Sequence, residues 1–251
     1  MSKTNTFQTS VLKHMVRQLL INKITDHFGV NNPLKCYTLP GDSLAFEEAL
    51  YDIYKTRVKL EGVERDRLIF DRATSLIASK GLPMVLHKSD DTDFWSSTCD
   101  TWFNMIWLDY CSGWNQFQRS SLEHILTGEH LSFSRKNPLL AITVCDGYEF
   151  NRVEELELSV IDLLKSSKRS ESKDRGRLVG IPRLLNKVAN ANRYSLVPQF
   201  IIRYRDAVRD KRAVPMFIFM FEVLRGKKTF NEKNIPVVNM VADYSAAISL
   251  H

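Results

Sequence analysis

The sequence predicts an α/β protein: a doubly wound, mostly parallel sheet flanked by helices and closed by a C-terminal antiparallel β-hairpin. Three observations predict it. From Leu34 to Asp109 short β-rich runs alternate with stretches of helical periodicity, and acidic residues or acidic turns follow several of the strands. Leu139–Val144 (LLAITV) is an unbroken apolar run of the kind found in strands buried on both faces. Tyr194–Tyr204 and Val214–Leu224 are long β-rich runs separated by a polar stretch, which reads as an antiparallel pair.

The elements follow in order. Val11–Phe28 carries Leu12, Val16, Leu19, Leu20, Ile24 and Phe28 at helical spacing, with Gly29 at its end. It is expected to cap the domain, with a basic lid or a dimer contact as the functional alternative. Lys35–Leu39 (KCYTL) is the first strand and Pro40-Gly41-Asp42-Ser43 its turn. Phe46, Ala49, Leu50, Ile53 and Tyr54 make one apolar helical face, and Asp42 or Ser43 is a competent N-cap for that helix. Val58–Val63 is the second strand, Leu68–Ser79 the second core helix with Gly81 at its end, and Leu82–Leu86 the third strand. Phe94–Thr101 reads as helix, Phe103–Leu108 as the fourth strand and Asn115–Leu126 as helix. Val153–Leu164 and Ile181–Ala191 are further helices, joined through Lys165–Arg177. That run holds six basic residues, two acidic ones and no apolar one, and reads as a solvated loop. The tail from Gly226 has no assignable element. The organisation expected is a helical extension over 1–32, an α/β domain over 33–225 with its basic loop at 165–177, and a tail over 226–251.

Composition narrows the class. The chain has 251 residues, 44% of them apolar and 25% charged, which suits one ordinary α/β domain. No stretch is apolar enough to cross a bilayer, and MSKTNTFQTS lacks the apolar core of a signal peptide, so a cytoplasmic location is expected. Cys36, Cys99, Cys111 and Cys145 are scattered without a CxxC pair, which fits reduced thiols. The six histidines form no HxxxH or HExxH pair, and the sequence contains no GxxxxGK[ST] loop or GxSxG elbow. These absences disfavour a zinc enzyme, a P-loop hydrolase and a serine hydrolase of the elbow type. The net charge of +6 is compatible with an anionic partner. Arg203, Arg205, Arg209, Lys211 and Arg212 form a second basic group near the hairpin. Trp95, Trp102, Trp107 and Trp114 are expected in the core rather than as base-stacking platforms.

In open α/β sheets ligands bind beyond the carboxyl ends of the strands, where the topology switches. The residues at those ends are therefore the candidates: Leu39, Pro40, Gly41 and Asp42 after the first strand, Glu64 and Arg65 after the second, Asp90 and Asp91 after the third, Asp109 and Tyr110 after the fourth. Glu64 stands where such folds hold a ribose, because vicinal hydroxyls can both donate to one carboxylate. Its bland alternative is a turn residue paired with Arg65 or Arg67. Asp109 could accept a proton or hold an amine. Tyr110 could stack on a base or face a cation. Gly41 is equally well a simple Pro-Gly turn, Asp109 equally well a helix cap, and Cys111 is more readily a small buried residue than a nucleophile.

Alternating strands and helices closed by an antiparallel hairpin resemble the class I S-adenosylmethionine-dependent methyltransferases, over roughly 34–224. The resemblance implies S-adenosylmethionine as cofactor. It places the methionine part against Thr38-Leu39-Pro40-Gly41-Asp42, the ribose on Glu64 beside Arg65, the adenine amine near Asp90 or Asp91, and the transferred methyl near Asp109-Tyr110. The family's first turn carries two or three glycines, and this one has only Gly41, with Pro40 removing a backbone donor. The basic run implies a nucleic-acid substrate contacted by Lys165, Lys168, Arg169, Lys173, Arg175 and Arg177. The alternative is a catalytically inactive scaffold of the same shape that binds nucleic acid or a protein.

Overall fold

A computed structural model describes residues 11–97, 101–110, 114–145, 169–206, 214–228 and 236–240. The expected helix 153–164, Cys99, Cys111, Lys165, Lys168 and the hairpin turn with Arg209, Lys211 and Arg212 lie outside them.

The elements are α1 (Val11–Phe28), β1 (Leu34–Thr38), α2 (Ala45–Tyr54), β2 (Val58–Val63), α3 (Arg67–Lys80), β3 (Met84–His87), α4 (Asp91–Ser97), β4 (Met105–Asp109), α5 (Gln116–Thr127), β5 (Leu139–Cys145), α6 (Arg169–Ala191), β6 (Tyr194–Asp206), β7 (Val214–Arg225) and β8 (Val237–Met240). One eight-stranded sheet takes the order β3-β2-β1-β4-β5-β7-β6-β8. β1 to β5 pair in parallel wherever they touch. β7 is antiparallel to both β5 and β6. β8 returns to the parallel direction beside β6. The chain therefore winds outward from β1 to β3, jumps back to β4, and puts the switch point between β1 and β4.

Strand periodicity divides the core into two layers. Leu34 and Cys36 of β1, Met105 and Trp107 of β4, and Leu139 and Ala141 of β5 face one side, where they meet Val16, Leu20, Ile21 and Ile24 of α1 and Phe46 and Leu50 of α2. Tyr37, Ile106, Leu108, Leu140 and Ile142 face the other, where Phe94, Trp95, Leu122, Ile125 and Leu185 cover them. α1 shares the core cluster of β1 and β2, and β8 adds a strand to the sheet.

Local chemistry accounts for most element ends. Asp66 caps α3 by accepting from the amides of Leu68 and Ile69, and Gly81 ends that helix in the left-handed conformation. Asn115 and Gln118 form a capping box on α5. Pro198 has no amide to donate, and β6 shifts register between it and Phe200.

Three expectations need correction. α2 does not start from Asp42 or Ser43: its N-cap is Leu44, left-handed at φ 50° and ψ 24°, with no side-chain cap. Leu44 is buried, so the gain from packing it holds a backbone state that a leucine otherwise avoids. The stretch from Arg169 to Arg177 is not loop but the first turns of α6. Polarity all round hides helical periodicity from a pattern reading without preventing a helix, since Lys, Arg and Glu are good helix formers. Trp102 is not core: it is 55% exposed, while Trp95, Trp107 and Trp114 are buried.

Candidate active site at the carboxyl edge of the sheet

Strand register sets the geometry. Thr38 of β1 pairs with Gly62 of β2 and with Trp107 of β4. Two residues beyond those partners come Glu64 on one side of β1 and Asp109 on the other. With strands ~4.8 Å apart, the two acids sit about 10 Å from each other along the edge. The candidates that follow β1, β2 and β4 thus share one edge of the sheet, while Asp91 turns towards Tyr37 and Tyr110.

Glu64 is held by main chain. Its amide donates to the His87 carbonyl at 3.0 Å, and its Oε1 accepts from the Asp66 amide at 2.7 Å. Partial burial pushes its carboxyl above the usual range, with the amides of Asp66 and Arg65 pulling it back. Arg65 is exposed beside it. In the first turn Pro40 is buried, Gly41 is half-buried and Leu39 packs against the core. Asp42 lies 3.9 Å from Arg72 of α3, which ties the turn to that helix.

The two β3 acids have separate surroundings. Asp90 starts α4, accepting from the Asp93 amide at 3.0 Å. Asp91 is only 4% exposed. Its Oδ1 accepts from the Tyr37 hydroxyl at 2.7 Å and the Trp95 indole at 2.8 Å, and its Oδ2 from the Tyr110 hydroxyl at 2.5 Å. Burial first, and the Asp91 charge second, push both phenols well above their usual range, so both remain donors. Asp91 and the Tyr110 hydroxyl are thus committed to each other, and Asp90 is the more accessible acid of the pair.

Asp109 meets a basic group that the sequence reading overlooked. Lys13 of α1 places its Nζ 3.9 Å from Asp109 Oδ2, and both side chains are largely buried. Arg17, one turn along α1, is buried as well, and Glu47 of α2 is 3% exposed. Thr38, Glu47, Asp109, Lys13 and Arg17 therefore form a polar layer between α1, α2 and the sheet edge. The signal was present: Lys13 and Arg17 are four apart and share a helical face.

Desolvation raises the Glu47 carboxyl, the nearby Asp109 charge adds to it, and Thr38 and Arg17 oppose. A carboxyl raised in the folded state contributes stability at low pH that is lost as pH rises through its folded value. Glu47→Gln is therefore expected to raise the melting temperature at pH 8 by a few degrees, and the gain should shrink as pH falls towards 4.5. Calorimetry of both proteins over that range checks this; an equal gain at every pH would mean that ionisation of Glu47 is not the cause.

No protein-family model matches the sequence, and no curated protein matches it. Solved structures do. An assigned sarcosine/dimethylglycine methyltransferase from Galdieria sulphuraria superposes with a TM-score of 0.55 at 12% identity, covering 88% of this chain and 91% of that one. An assigned class I S-adenosylmethionine-dependent methyltransferase from Listeria monocytogenes gives 0.56 at 10% identity, covering 90% and 64%. The plantazolicin methyltransferase BpumL, in complex with SAH, gives 0.51 at 12% identity, covering 86% and 92%. The chain has the class I methyltransferase fold. Within this fold Glu64 and Asp109 lie at the carboxyl edge of the sheet beside the switch point, and α1 reaches Asp109 through Lys13. Among the described residues no group of three or more His, Cys, Asp and Glu could hold a metal ion. No described helix is long and apolar enough to cross a membrane.

Proposed function

We propose that the protein binds S-adenosylmethionine at this edge and transfers its methyl group to a nucleic-acid substrate. The observation that carries the reading is Glu64: a half-buried carboxylate at the end of β2, anchored through Oε1 to the Asp66 amide beside the switch point. A ribose diol fits such an acceptor. The cofactor, when bound, supplies an electrophilic methyl on a sulfonium. The chain's own part is binding and alignment, with Glu64 holding the sugar and Asp90 the acid available for the adenine amine. Asp109 is the group placed to take a proton from the substrate, with Lys13 Nζ 3.9 Å from its Oδ2. The nucleic-acid part rests on the basic run from Lys165 to Arg177.

Titration calorimetry with S-adenosylmethionine and S-adenosylhomocysteine tests the cofactor. Micromolar binding is expected, weakened about 10- to 100-fold in Glu64→Ala, the cost of removing hydrogen bonds to a charged acceptor.

A second reading is favoured by the crevice itself. Lys13 points at Asp109, and the left-handed position of the first turn is filled by buried Leu44 where glycine would leave space. In this reading the fold is kept as a binding scaffold. Folded protein that binds neither ligand would establish it over the enzyme reading.

A further inference from the structure

The opposite edge of the sheet holds a concave site. The segment before β4, the segment before β5, the start of β6 and the end of β7 line an open cavity of about 830 Å³. That volume lies within the range of small-ligand sites. Trp102 lines it and is 55% exposed. Phe133 and Tyr194 stack in parallel on its wall, with ring centroids 5.9 Å apart and planes 8° apart. The Arg225 guanidinium lies over Phe133 at 4.7 Å. Lys228 lies on the rim, and Arg193, just before β6, and Lys227, just after β7, are exposed. Glu129 is the acid in the lining.

The frame is fixed rather than loose. The Gly226 amide donates to the Arg193 carbonyl at 2.7 Å, and the Ser195 hydroxyl donates to the Gly226 carbonyl at 2.5 Å. The Asn190 amide group reaches the Lys228 carbonyl at 3.4 Å. Two cations, Arg225 and Lys228, are therefore carried on a braced ledge in a lining that holds one acid, Glu129.

We infer that this cavity docks single-stranded nucleic acid, with one unpaired base on Trp102 and its phosphates on Arg225 and Lys228. An exposed indole in a cavity that also holds a guanidinium can take a planar base, and a base offers its face only when it is out of a duplex. The cations supply the sequence-independent attraction of the backbone. The inference deepens the nucleic-acid part of the proposed function but does not need the cofactor, since the site lies at the other end of the strands.

The test is anisotropy of fluorescein-labelled oligo(dT) and oligo(rU) twelve-mers with the full chain at low and moderate salt. The expected result is binding that weakens about tenfold in Trp102→Ala, less in Trp102→Phe, and with a salt slope reduced by about one in Lys228→Gln. Trp102 is exposed, so these variants are expected to fold, and circular dichroism checks it. S-adenosylmethionine titrations of the same variants should match the wild type. Oligomer binding without cofactor binding would support the docking site and sink methyl transfer. Cofactor binding with no oligomer binding, or oligomer binding unchanged in Trp102→Ala, would overturn the docking site. Thymidine monophosphate binding that the twelve-mers do not compete would overturn it too, in favour of a small-nucleotide pocket.

Discussion

Replacing Asp91 with alanine is expected to cost about 3–5 kcal/mol of stability, the range for breaking a buried charged network. Asp91 is buried and takes three side-chain donors from three elements: Tyr37 of β1, Trp95 of α4 and Tyr110 at the end of β4. Alanine leaves two phenols and an indole without acceptors in a place that water does not reach, and it opens a void beside stacked rings. For a chain of this size the loss corresponds to a fall of about 10 °C in melting temperature. Asp91→Asn keeps the volume and one acceptor oxygen, so its loss should be about half as large. Thermal unfolding followed by circular dichroism measures both. Equal, small shifts in the two variants would mean that the hydroxyls find other partners.

Gly62→Ala is the second large effect. The φ of Gly62 is not in the left-handed region, so the backbone would tolerate any residue. The obstacle is space: an added Cβ would come 2.5 Å from the Thr38 carbonyl oxygen, 3.0 Å from Pro40 Cδ and 3.2 Å from Met84 Cε. Main-chain oxygen cannot swing aside as a flexible side chain can. β1 and β2 must separate where they present Pro40 and Glu64, at a cost of about 2–3 kcal/mol. Denaturant unfolding should show that loss, and any ligand held between Pro40 and Glu64 should bind more weakly as well. Gly81→Ala is the contrast. Nothing lies within 4 Å of its added Cβ, and the penalty there, about 1 kcal/mol, comes from its φ of 61° alone. A Gly62→Ala protein as stable as the wild type would show that the strands have slack at this point.

Much of the fold was legible because its strands are buried on both faces and its helices mostly on one. The β5 run LLAITV is buried at every position because α-helices cover both sides of it, and its one polar residue, Thr143, accepts from the Trp107 indole. α1 and β2 were legible to the residue from period alone. The start of α6 was not, because a helix that is polar all round has no stripe to read. Leu44 was not, because its backbone is set by the burial of its own side chain and not by a local cap. At the candidate site, order along the chain placed Glu64 and Asp109 at one edge. It could not reveal that Lys13 arrives there from α1, or that Asp91 turns inward to Tyr37 and Tyr110, since both contacts join segments far apart in sequence. Trp102 was misread because three of four tryptophans are indeed buried, and spacing does not distinguish the fourth.

The placement of β7 has a bearing on how the molecule comes into being. β5 and β6 never touch; each is joined to the other only through β7. During synthesis everything up to Asp206 can be outside the ribosome and still comprise two pieces, with the edge of β5 open to whatever strand it meets first. The segment Val214–Arg225 completes the sheet, pairing with β5 on one side and β6 on the other. β7 meets β6 as a local hairpin, but its pairing with β5 spans a long stretch of chain, so that closure is entropically slow. The interval before that step is when a nascent chain of this design most needs protection from its neighbours.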